Sequence, residues 1–217
     1  MQDFLFYLQL GWEHIISSDA LDHQLFILAL IAIFSLNDFK KVLILVTAFT
    51  IGHSFTLLMS ALDIFRVPSH WVEFLIPCTI VFTALDNIIF SKNEKRLIYF
   101  NYSLALLFGL VHGMGFANSV RLMLSSEQNI LLPLFGFNVG LELGQIIVVI
   151  IALLVHHLFI KYLKTTNKVW VMLVSVPILI FALKMALERL PFLMENNMFK
   201  FNFSFLLKIT QHFVTFC

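Results

Sequence analysis

Six apolar stretches alternate with short polar breaks along the chain, at about residues 20–36, 42–62, 70–90, 99–121, 132–160 and 169–190. Each approaches the roughly 20 residues that a helix needs to cross a bilayer. The breaks read "NDFKK", "LDIFRVP", "SKNEKR", "RLMLSSEQN" and "KYLKTTNK". None is long enough to be a linker between domains. Residues 1–190 therefore predict one transmembrane helical domain, an all-α integral membrane protein built as a bundle of about six transmembrane helices. Two segments fall outside the pattern. Residues 4–16 predict a short N-terminal interfacial or re-entrant helix leading into the first span. Pro191 should end the sixth span, and residues 191–217, interrupted by Asn and Lys, predict an interfacial or poorly ordered tail.

Composition strengthens this assignment. Of 217 residues, 60% are hydrophobic and only 12% charged, against about 25% charged in a soluble domain. The lipid bilayer is the solvent that such a chain requires. A net charge of +1 gives no case for a nucleic-acid partner. Cys78 and Cys217 do not form a disulfide framework. The first, third and fifth breaks carry Lys40, Lys41, Lys92, Lys95, Arg96, Lys161, Lys164 and Lys168, whereas the second and fourth carry Arg66 and Arg121. By the positive-inside rule the odd breaks are cytoplasmic and both termini extracytoplasmic. The opening residues lack the basic stretch and cleavage site of a signal peptide, so the expected location is a bacterial inner membrane, crossed several times.

Orientation then gives each polar side chain a depth. "GWEHIISSDALDHQLFILALIAIF" sets Glu13, His14, Asp19, Asp22 and His23 directly before an apolar run. His53 lies near the middle of the second span, His112 near the middle of the fourth, and Asn138 and Glu142 in the outer half of the fifth. Glu73 opens the third span. A charge at the bilayer centre costs about 2.5–3.5 kcal/mol on the most lenient scale, so such residues face a bundle interior, pair, or serve a pathway. Any one of them alone reads as a helix-to-helix hydrogen bond, and Asp22 alone as a helix cap. Their convergence on one depth band suits a divalent cation, since imidazole accepts Zn, Ni, Cu or Fe and a carboxylate offsets charge. The polar residues at that depth are His14, Asp22, His23, Glu73, His53, His112, Asn138 and Glu142, and Asp19 shares a helix face with His23, as Asn138 does with Glu142. Glycines flank several of them, including Gly52, Gly109, Gly113, Gly140 and Gly144, which lets helix backbones approach closely in lipid.

Five motifs in order, "GWEHI…DHQLFILAL", "VTAFTIGHSFTL", "WVEFLIPCTIV", "FGLVHGMGFA" and "FNVGLELGQ", resemble the HupE/UreJ family of hydrogenase and urease accessory membrane proteins. The resemblance covers about residues 11–148. Seven residues separate His14 from Asp22, a longer interval than the family's commonest pattern. What the resemblance implies is nickel or cobalt uptake, with His14, Asp22, His23, His53, His112 and Glu142 as ligands and Glu73 as an additional one. It also implies metalloenzyme-maturation proteins as partners, with self-assembly as the other candidate association.

Two functions from different classes follow. One is a divalent-metal permease for nickel or cobalt, with zinc as the alternative ion. The other is an intramembrane metal-dependent hydrolase or transferase acting on a lipid or lipoprotein, in which a fixed metal activates water. Neither "HExxH" nor "GxSxG" occurs, which leaves no catalytic residue assigned, and the family resemblance favours the permease.

Overall fold

The computed structural model describes residues 2–64, 67–90, 94–124 and 130–190, leaving out the side chains of 2–3, 19, 90, 94–99 and 117–124. The tail expected over 191–217 lies outside the described residues. Seven α-helices are described: α1 (Gln2–Ile16), α2 (Leu21–Ile31), α3 (Phe39–Ala61), α4 (Ser69–Phe90), α5 (Glu94–Leu124), α6 (Leu131–Leu163) and α7 (Asn167–Glu188). The last five coincide with the second to sixth apolar stretches. Four described helical segments, Leu36–Ala61, Ser69–Ile89, Leu131–Leu163 and Asn167–Glu188, are long and apolar enough to cross a membrane, and the apolar part described for α5, Phe100–Phe116, is shorter. The protein is a multi-pass, all-α membrane bundle. Its upper end is defined here as the one at which α4 and α6 begin.

The first crossing is different. At 1.5 Å per residue, α1 is about 22 Å long and α2 about 16 Å, so neither alone spans the ~30 Å hydrocarbon core. Glycine contacts fix the direction of α1. Phe4 lies against Gly136, Leu8 against Gly140 and Trp12 against Gly144, so α1 runs parallel to the upper half of α6. Of the two expectations for residues 4–16, interfacial or re-entrant, the helix lies within the bundle. α2 continues downward beside α5: His23 meets His112, Phe26 stacks on Phe108, and Leu30 accepts from Asn101. Together the two helices make one discontinuous crossing.

A break inside a membrane leaves carbonyls without helical partners, each costing several kcal/mol if unsatisfied. Gln24 answers this. Its Nε2 donates to the carbonyls of Ile15 and Ser17, both at 3.1 Å, and to that of Ile16 at 3.4 Å. A 3-10 turn, Ser18–Ala20, links the two pieces. At the lower end the α2–α3 connection is closed by Asp38, whose carboxylate accepts from the Ser35 hydroxyl at 2.9 Å and from Lys41 Nζ at 2.6 Å.

α3 and α5 also run parallel and meet backbone to backbone. A methyl at Gly52 would strike the Leu106 carbonyl, at Gly109 the Phe49 carbonyl, and at Gly113 the His53 carbonyl and Thr56 Oγ1. In lipid, where apolar side chains gain nothing by leaving solvent, such close approach supplies much of the helix association. α4 contributes a second tie. Pro77 lies within it and has no N–H for the Glu73 carbonyl four residues earlier. Arg189, at the end of α7, donates Nη1 to that freed oxygen at 3.4 Å and places the same nitrogen 3.9 Å from Asp22 Oδ2. One guanidinium thus joins α4, α7 and the start of α2.

Gly140→Val forces α1 away from α6 and is expected to destabilise by about 1–3 kcal/mol, as overpacking does. Gly115→Ala meets only the flexible ends of Val72 and Ile76 and should melt close to the wild type. Near-ultraviolet circular dichroism in detergent checks this, and equal melting of the two variants would refute the packing account.

Candidate metal centre

Four histidines converge in the upper half of the bundle. His14 sits in the last turn of α1, His23 in the first turn of α2, His53 on α3 and His112 on α5. Ring centroids are 3.6 Å apart for His23 and His112, 4.6 Å for His14 and His23, and 6.2 Å for His14 and His112. His53 stands one step further out, 6.1 Å from His14 and 6.4 Å from His112. The interval between His14 and Asp22 does not separate the two histidines, because the turn at residues 18–20 folds it aside.

Local packing explains the convergence. Gly52 and Gly113 draw α3 and α5 together at the very residues adjoining His53 and His112, and Gly140 and Gly144 draw α1 against α6 where His14 emerges. Phenylalanines close the space around the rings. Phe49 and Phe108 lie one helical turn below His53 and His112, with centroids at 5.6 and 5.0 Å. Phe116 and Phe137 flank His14 at 4.2 and 5.6 Å.

The nitrogens so enclosed lack partners. His14 Nε2, His23 Nε2, both nitrogens of His53 and His112 Nδ1 are buried with no hydrogen bond, and His23 Nδ1 has only the Asp22 carboxylate nearby. A neutral imidazole offers one donor and one lone pair, and leaving a buried polar atom unsatisfied costs about 1–3 kcal/mol. The pocket carries several such penalties side by side. His14, His23 and His112 each bring a nitrogen within 4.8 Å of the other two. Metal–nitrogen bonds of about 2.0–2.1 Å put tetrahedral donors roughly 3.3 Å apart, a contraction that rotation of the imidazoles can supply. Three imidazoles with free lone pairs fit a borderline-soft divalent ion such as nickel, cobalt or zinc.

The other candidate residues take distinct places. Asp22 Oδ1 accepts the His23 backbone N–H at 2.9 Å and lies 3.3 Å from His23 Nδ1, so its carboxylate adjoins the cluster. Asn138 donates to the Leu134 carbonyl at 2.8 Å, and its side chain adjoins His53. Glu142 turns toward α3 and accepts from Thr47 Oγ1 at 2.8 Å. Glu73 is exposed on α4 and meets Arg189 through its backbone alone among the bonds described. The side chain of Asp19 lies outside the described residues. Sequence reasoning missed Arg189, which holds Asp22, and the aromatic enclosure. The latter had a legible signal, since Phe49, Phe108 and Phe116 each stand four residues from a histidine of the cluster.

The fold is thus a multi-pass membrane bundle in which imidazoles are buried between a broken first crossing and a glycine-coupled helix pair. The chain belongs to the HupE/UreJ family: the family model described as HupE / UreJ protein matches residues 1–189. No match was found among curated proteins or among solved structures.

In metal-free buffer with chelator, His53→Leu and His112→Leu remove unsatisfied nitrogens and are each expected to stabilise the protein by about 1–3 kcal/mol. Thermal unfolding measures this. A lower melting temperature in both variants would mean that the nitrogens already have partners.

Proposed function

We propose that the protein is a divalent transition-metal permease of the bacterial inner membrane, carrying nickel or cobalt inward from an extracytoplasmic site. The observation that carries this reading is the group of three imidazoles, His14, His23 and His112, with buried, unpartnered nitrogens within 4.8 Å of one another. His53 and Asp22 stand close enough to join or relay, and Asp22 supplies the negative charge that a divalent ion needs in a low-dielectric site. The excess of Lys and Arg at the lower end supports an upper end that faces outward. Membership of the HupE/UreJ family supports the ion, and with it delivery of metal to nickel-enzyme maturation.

The broken crossing supports transport over storage. Transporters commonly place their cargo where a helix is interrupted, because the half-helix ends and the freed backbone groups face the cargo there. His14 and His23 come from the two sides of such an interruption, and His112 from the α3–α5 pair. The ion would therefore bridge both halves of the broken crossing and the α3–α5 pair. A second reading keeps one observation in its favour: three imidazoles leave a fourth position open, which suits a catalytic metal-bound water.

Reconstituted vesicles with a trapped metal-sensitive fluorophore separate the two. Saturable entry of Ni2+ or Co2+ is expected in the wild type and should fall at least tenfold in His23→Ala and His112→Ala, while Glu73→Gln stays near the wild-type rate. One metal per chain that survives dialysis, without any flux, would replace the permease with the hydrolase reading.

A further inference from the structure

Directly beneath the histidines lies a layer of packed aromatic rings. Phe26 on α2 stacks on Phe108 at 3.5 Å between centroids, Phe49 packs 5.5 Å from Phe108, and all three are 2% exposed or less. This floor separates the imidazoles from a second group of polar side chains in the lower half. Asn87 of α4 and Asn101 of α5 are fully buried. Each spends its amide nitrogen on the end of α2: Asn87 Nδ2 donates to the Ala29 carbonyl at 2.6 Å, and Asn101 Nδ2 to the Leu30 carbonyl at 3.4 Å. Each is left with a buried side-chain oxygen that has no partner. Ser175 of α7 adjoins Asn87 at 3.4 Å, and the neighbouring Asp86 is buried as well.

The chemistry here differs from that above the floor. The unpartnered atoms of Asn87 and Asn101 are oxygens, and both amides are anchored at the C-terminal turn of a half-helix, where the backbone dipole favours positive charge. Neutral amide and carbonyl oxygens are hard ligands, suited to alkali or alkaline-earth ions rather than selective for nickel. From His23 to Leu30 the helix descends about 10 Å at 1.5 Å per residue. We propose that Asn87, Asn101 and the end of α2 form a second cation station with oxygen ligands, about 10 Å below the histidines and divided from them by Phe26, Phe49 and Phe108. Two ions fit that chemistry: sodium as a coupling ion, or the cargo metal in passage after the floor has parted. Because α2 carries both His23 and the carbonyls that the asparagines hold, an ion at either station bears on the same short helix.

Binding of radioactive sodium to purified protein in detergent, with choline as the balancing cation, tests the station independently of the permease reading. Sodium binding by the wild type and by His112→Ala, with affinity at least tenfold lower in Asn87→Ala and Asn101→Ala, supports a coupling ion. Asn101→Ser, which keeps an oxygen in a small side chain, should lose less than threefold and guards against a variant that misfolds. Absent sodium binding, Ni2+ flux at least tenfold slower in the asparagine variants, with Ni2+ binding unchanged, supports cargo passage. The proposal is overturned if the asparagine variants match the wild type in both measurements, and the amides then serve only to hold the end of α2. If the wild type moves no Ni2+, the permease reading fails while sodium binding still decides the station.

Discussion

Backbone-to-backbone contact at glycine is the constraint on which the rest of this structure depends. α3 and α5 touch through Gly52, Gly109 and Gly113, and α1 and α6 through Gly11, Gly136 and Gly140. Both pairs are parallel, so each must be joined through other helices and cannot be a simple hairpin. Close approach shortens the distance that a side chain needs to bridge. His53 and His112, each next to a contact glycine, reach into one volume that longer-branched neighbours would have filled. The polar site is a product of the packing rather than an addition to it.

The interior so formed is costly to keep. Buried imidazole nitrogens without partners oppose folding, whereas the rings around them favour it. Phe26, Phe49 and Phe108 place a close-packed aromatic layer next to the least satisfied polar group described in the molecule. Arg189 plays a comparable part at the upper end, where one side chain answers both the carbonyl released by Pro77 and the carboxylate beside His23. Order at the site is thus imposed from outside it.

Much of the fold was legible in the sequence because apolar length alone identifies a membrane crossing. The expected spans 42–62, 70–90, 99–121, 132–160 and 169–190 differ from α3–α7 by a few residues at each end. The first crossing was not legible as it stands. Hydropathy over 20–36 suggests one helix, but the chain leaves the helix after Ile31 and borrows α1 for the upper half. α1 carries Gln9, Glu13 and His14, and so reads as interfacial until its glycine-lined partner α6 is known. The cluster was legible as a set of residues at one depth. Which of them meet was not, because rotation of a helix about its axis is invisible to depth. Gly136, Gly140 and Gly144 give one face of α6 to α1, and the face bearing Asn138 and Glu142 therefore turns to α3. That rotation brings Asn138 beside His53 and sends Glu142 to Thr47.

The pairing of α1 with α6 also has a consequence for how the molecule is made. Leu8 rests on Gly140, so the partner of the first helix is encoded more than half the chain later. α1 is too short to span a bilayer and ends in carbonyls that Gln24, from the next helix, helps to satisfy. On a growing chain it has no groove to occupy until α6 has emerged and entered the membrane. α3 and α5 can meet well before that, carrying His53 and His112 into place. His14 comes last. The pocket is therefore completed by the segment translated first, and only after α6, which ends at Leu163 of 217 residues, has been made.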